Sequence, residues 1–90
     1  MEEGNRGMLE FMITAILNDY DLTGIILRGK PDDDYGPEAR YITTYLEEHN
    51  YEVKLDILAE YVRYTFYMWF DEYVDIVPCI MIANEIKKMI

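Results

Sequence analysis

Apolar residues recur along this chain at intervals of three and four, the period of amphipathic helices. Leu9, Met12, Ile13, Ile16 and Tyr20 follow at i, i+3, i+4, i+7 and i+11, while Glu10, Thr14 and Asp21 fall off the stripe. Asn5 is placed to cap this first helix, and Asn18-Asp19 begin its exit. The pattern then breaks. Asp21 suits the cap of one short turn, but Gly24, Gly29 and Pro31 bar a long helix. Ile25, Ile26 and Leu27 therefore read as a loop that plugs the core. An extended segment is the alternative, with no second strand to pair with it.

Helical spacing returns after the turn at Asp32-Asp33-Asp34-Tyr35-Gly36-Pro37. Pro37 suits a first helical position, and Glu38 and the aspartates suit the positive end of the helix dipole. Ile42, Tyr45, Leu46 and His49 predict the buried side of this second helix, and Asn50 its C-terminal cap. The third helix is the longest, about residues 53–73. Leu55, Leu58, Ala59, Val62, Phe66, Trp69 and Tyr73 lie within a sector of about 100°. A second set, Ile57, Tyr61, Tyr64 and Met68, clusters on nearly the opposite side, and charge is confined mainly to a strip of Asp56, Glu60, Arg63 and Asp71. A helix apolar on most of its circumference is either central to its domain or covered by a partner. Asp75 caps a fourth helix that tolerates Pro78 in its first turn and repeats Cys79, Ile82, Ala83, Ile86 and Ile90 at helical spacing. Lys87 and Lys88 suit its C-terminal dipole. The expectation is an all-α fold: one domain over residues 1–90, frayed at 1–7. It is a compact bundle of about four helices with a Gly/Pro-containing loop between the first two and the third helix at the centre.

Charge sharpens the picture. Eight Lys and Arg stand against eighteen Asp and Glu, a net charge of −10. Residues 31–60 hold nine acids and two bases, so the excess is regional. Such a chain is a poor ligand for nucleic acid or an anionic membrane surface. It is suited to steering toward a basic protein. With 51% hydrophobic residues and nine Tyr, three Phe and one Trp, it has the material for a core, which a disordered chain lacks. The acidic start Met1-Glu2-Glu3 is unlike a signal peptide, the apolar run Ile76 to Ala83 is too short to span a bilayer, and the single Cys79 makes no internal disulfide. A cytoplasmic setting follows as the expectation.

Catalytic chemistry finds little material. The chain has no Ser and no Gln, and His49 is its single histidine. A Cys79–His49 pair would need two isolated residues to meet. Asp32-Asp33-Asp34 offers hard oxygens to a divalent cation, but with Gly36 at the sixth position of an EF-hand loop the first would be Pro31, which is no ligand. Glu47, Glu48 and His49 are adjacent on a helix and diverge by about 100° per residue, so they do not converge on one ion. Cys79, among apolar neighbours, reads as an inert buried thiol. No catalytic residue, metal site or cofactor is expected, and the chain reads as a non-enzyme.

Several pieces taken in order resemble a family of short bacterial proteins, the YugE-like proteins, known as a domain of unknown function. They are Asp21-Leu22-Thr23-Gly24-Ile25, then Pro31-Asp32-Asp33-Asp34-Tyr35 followed by Glu38, Ile42 and Leu46, then Trp69-Phe70, and Cys79 with Ile82-Ala83 and Ile86. The resemblance spans about residues 9–86. Leu22 stands where Pro is usual in the family and Asp34 where Glu is usual. The resemblance implies a compact helical fold and no particular activity.

Two functional expectations follow. In the first, the chain is an inhibitor or immunity-type protein that occludes a basic site on a toxin, nuclease or phage-defence effector. Asp32, Asp33, Asp34, Glu38, Glu47 and Glu48 steer, and Tyr35 anchors. In the second, it is a structural module that pairs with a second copy through Ile57, Tyr61, Tyr64 and Met68, since Tyr and Met are enriched in interface cores.

Overall fold

A computed structural model describes the backbone of residues 3–22, 35–71 and 73–90, with side chains from residue 7 onward. It contains four helices, α1 (Glu3–Tyr20), α2 (Gly36–Glu48), α3 (Leu55–Phe70) and α4 (Ile76–Met89). The fold is all-α. The loop expectations for residues 23–34, including the plug Ile25-Ile26-Leu27, lie outside the described residues.

The helices close into a ring in which α1 adjoins α2 and α4, and α3 adjoins α2 and α4. α2 runs antiparallel to both α1 and α3: Asn18 meets Tyr35 while Glu10 meets Arg40, and Tyr45 stacks on Tyr61 while Tyr41 reaches Met68. The third helix is thus one side of a square, not its centre. Its inward stripe is Leu58, Ala59, Val62, Thr65 and Phe66, and its other sides face neighbours or solvent. Leu55, Trp69 and Tyr73, expected inside, are exposed. Leu55 opens the helix, Trp69 near its end is covered only in part, by Tyr41 of α2, and Tyr73 lies beyond its end.

Each helix supplies one stripe to a common core. Leu9, Ile13 and Leu17 come from α1, Ala39, Ile42 and Leu46 from α2, and Cys79, Ile82, Ala83 and Ile86 from α4. In α1 the buried line runs at i, i+4, i+8 through Leu17, with Met12, Ile16 and Tyr20 on its flank. Burying stripes of this kind, at about 1.5–3 kcal/mol per large aliphatic side chain, is the main force holding the ring closed.

Helix ends follow local chemistry. Asp75 Oδ1 accepts from Val77 N–H at 3.0 Å, the cap expected for α4. The α2 end is a Schellman turn: Tyr51 N–H donates to Leu46 O at 2.7 Å and Asn50 N–H to Glu47 O at 3.1 Å. Asn50 takes φ 54°, and the stops after α1 and α3 use Asp21 at 46° and Asp71 at 54°. Asn and Asp tolerate the left-handed region better than other non-glycine residues, so these positions end helices without glycine. Asp71 explains why α3 stops at Phe70, short of the expected 73. At the other end, α1 begins at Glu3, so Asn5 lies inside the helix rather than capping it.

Candidate interaction face

The α2–α3 side of the ring carries a continuous aromatic surface. Tyr41, Tyr45 and His49 succeed one another at i, i+4 and i+8 along the flank of α2 that turns toward α3. Ile57, Tyr61, Tyr64 and Met68 line the facing flank of α3. Tyr61 stacks on Tyr45 with ring centroids 3.7 Å apart and on Tyr41 at 5.5 Å. Tyr41 reaches Trp69 at 5.9 Å and its hydroxyl donates to Met68 Sδ at 3.5 Å. Tyr45 carries His49 at 4.3 Å, and Tyr64 flanks Tyr61 at 6.2 Å. A shallow pocket of about 460 Å³ between Pro37, Arg40, Tyr41, Thr44 and Trp69 closes one end.

The set expected from the α3 pattern is open to solvent. Ile57 and Tyr64 are each 49% exposed and Met68 41%, while Tyr61 is half-buried in the stack. Tyr61 holds its proton well above the ordinary tyrosine range. Burial is the main cause, followed by its hydrogen bond with Tyr41 and by the charges of Tyr41, Tyr45 and Glu48. Glu48, exposed at the end of α2, is the smallest of these causes. Glu60 is exposed one turn before Tyr64. Tyr67 belongs elsewhere: it stacks on Tyr73 at 4.3 Å, beside Arg63, whose Nε donates to Val74 O at 3.0 Å.

The described members of the expected acidic patch do not form one exposed surface. Asp32, Asp33 and Asp34 lie outside the described residues. Tyr35, expected as a surface anchor, is fully buried. It falls three and four residues before Glu38 and Ala39 on the inward stripe of α2, and its ring packs on Phe66 at 5.5 Å and Phe70 at 6.0 Å. Its hydroxyl donates to Asp21 Oδ1 at 2.7 Å and its N–H to Asn18 Oδ1 at 3.1 Å, which ties the exit of α1 to the entry of α2. Glu38, expected to steer a partner, is 5% exposed, one turn before Ile42 and in the first turn, where the helix dipole favours a carboxylate. Glu47 is half-buried and turns about 100° away from Glu48. Glu48 alone of the described acidic candidates is exposed. His49, expected on the buried side, is exposed too, since it stands past the end of α2, where Nδ1–H donates to Tyr45 O at 2.9 Å.

The pattern reading missed Tyr41 and assigned Trp69 to the core, while Tyr45, expected on the buried side, is half-buried against it. The signal for Tyr41 and Tyr45 was present as the Tyr41-Tyr45-His49 stripe, about 60–80° round α2 from the Ile42–Leu46 line. Among the described residues no group of three His, Cys, Asp or Glu side chains is placed to hold a metal ion. No helix of the described residues is long and apolar enough to cross a membrane.

Comparison with protein-family models, curated proteins and solved structures finds no match to this chain. What the face can do follows from its own chemistry. Exposed aromatic and thioether side chains with carboxylates beside them present apolar contact area together with attraction for cations.

Proposed function

We propose that this chain is a small acidic protein-binding protein of the inhibitor or immunity type. It docks a basic protein through the α2–α3 aromatic face and blocks that partner's cationic site by covering it. The supporting observation is the ring array from Trp69 through Tyr41, Tyr61 and Tyr45 to His49, half-buried at its three tyrosines and open at both ends, with Glu48 exposed beside it. The net charge of −10 speeds the encounter, and Tyr64 and Trp69 provide the apolar anchors. No catalytic step is part of this reading. A cytoplasmic setting and kinship with the YugE-like family belong to the same proposal.

A second reading, pairing with another copy through Ile57, Tyr61, Tyr64 and Met68, draws on the exposure of that set. Charge weighs against it, because a two-fold copy would bring Glu48 toward its like.

The test is binding of wild type and Tyr64→Glu to a panel of purified basic toxin and nuclease domains, at low and high salt. Trp69, the sole tryptophan, reports on the face by fluorescence. Salt-sensitive binding that Tyr64→Glu weakens by roughly 30-fold or more is expected. Binding that ignores Tyr64→Glu removes the face from the proposal, and binding that ignores salt removes the electrostatic part.

A further inference from the structure

We infer that Met68 is a reversible oxidation site and that the Tyr41 hydroxyl reads its state. This goes beyond the proposed docking of a basic protein and does not rest on it, since every group involved belongs to the free chain.

Met68 stands on α3 at 41% exposure, so a peroxide in solution reaches its sulfur. Met8 at 61% and Met81 at 51% are more open, and exposure alone does not single Met68 out. Its setting does. Among the described residues, Met68 Sδ is the one methionine sulfur that accepts a hydrogen bond, from the Tyr41 hydroxyl at 3.5 Å. Tyr41 belongs to α2, so the contact bridges two helices. The Tyr41 ring stands against Tyr61, with centroids 5.5 Å apart, and against Trp69 at 5.9 Å. A change at this one sulfur is therefore placed to move the ring array.

The chemistry is a transfer of one oxygen. The thioether sulfur attacks hydrogen peroxide, the O–O bond breaks, an S–O bond forms and water leaves; sulfur is oxidised and the peroxide reduced. A thioether is a weak acceptor, whereas the sulfoxide is polar and carries its acceptor on oxygen. The Tyr41 O–H, already aimed at this side chain, then donates to that oxygen instead of to sulfur. The acceptor now lies one bond out from the sulfur, so the Tyr41 ring shifts against Tyr61 and Trp69. A methionine sulfoxide reductase restores the thioether, with the oxygen leaving as water and two thiols of the reductant closing to a disulfide. Met8 and Met81 lie on α1 and α4, away from this array, and serve as controls within the same chain.

Treatment of the full chain with hydrogen peroxide tests this, with peptide mass mapping of each methionine, Trp69 fluorescence, and circular dichroism to confirm helix content for each variant. Wild type is expected to gain one oxygen at Met68 in the native state. The Trp69 emission is expected to change in step with Met68 and not with Met8 or Met81, and a methionine sulfoxide reductase with dithiothreitol reverses the change. Met68→Leu, at an exposed position that leaves the core intact, loses the emission change while Met8 and Met81 still oxidise. In Tyr41→Phe the sulfoxide lacks its donor, so oxidation is expected to lower the urea midpoint further than it does in wild type. A Met68 that stays unoxidised while Met8 and Met81 react overturns the inference. So does an emission change that persists in Met68→Leu or resists the reductase, or a midpoint loss in Tyr41→Phe no larger than in wild type.

Discussion

Replacing Tyr35 separates a core role from a binding role. The side chain is fully buried, wedged against Phe66 and Phe70, and its hydroxyl donates to Asp21 Oδ1 at 2.7 Å. Tyr35→Phe keeps the ring and deletes one hydrogen bond to a carboxylate. Such bonds contribute about 1.5–3 kcal/mol, and the half-exposed Asp21 puts this one at the low end, about 1.5 kcal/mol. Tyr35→Ala also removes the ring from a packed site, which costs about 3–5 kcal/mol in transfer and cavity terms. A 90-residue domain has about 5–14 kcal/mol in total, so the alanine variant sits near the edge of folding. Urea denaturation followed by circular dichroism gives both values. The order wild type, then Phe, then Ala is expected, with at least ~1.5 kcal/mol between the two variants. Tyr35→Phe also leaves docking on the α2–α3 face intact. Equal stabilities for Phe and Ala would refute the core role, and so would an Ala variant as stable as wild type.

Two further perturbations test local chemistry. Asp75→Ala removes the α4 cap and is expected to cost about 1 kcal/mol in the same assay, while Asp75→Asn, which can still accept from Val77 N–H, costs less. Cys79 is buried, and its pKa is pushed up from 9.0 to about 11, chiefly by burial, with Glu60 and Asp75 raising it and Arg63 pulling it down. The folded state therefore holds the thiol proton more tightly than the unfolded chain. That contribution is fully present below pH 9.0 and is lost as pH rises toward about 11. Stability is expected to fall across that window, more steeply in wild type than in Cys79→Ala. A thiol reagent should modify Cys79 slowly in native protein and quickly in urea, and rapid native modification would contradict the burial.

The sequence by itself determined the number and kind of elements. Helical periodicity, the Asp75 cap, Pro37 in the first turn of α2 and Asn50 at its end are local signals, set by backbone sterics and hydrogen bonding within a few residues. They carried the four helices, the all-α class and the stripe Cys79-Ile82-Ala83-Ile86. The open set Ile57-Tyr61-Tyr64-Met68 was legible in the same way, because it stands well round α3 from the larger apolar stripe.

Tertiary structure decided which side of each stripe is covered. An amphipathic pattern marks an apolar sector, but its edges are buried or exposed according to which helix lies alongside and how far that helix extends. Leu17 is core and Met12 is not, although both sit within reach of Ile13, because the centre of the ring lies on the Leu9–Leu17 line. Trp69 stays open on one side although Tyr41 of α2 lies against it, and His49 is open because it stands just past the end of its own helix. Tyr35 and Glu38, polar enough to read as surface, are inside because they share the inward stripe of α2 with Ile42. The aromatic array of Tyr41, Tyr45 and Tyr61 exists only because α2 and α3 lie antiparallel, which brings residues twenty positions apart to stacking distance. No local pattern carries that pairing, since it is fixed by the closure of the ring.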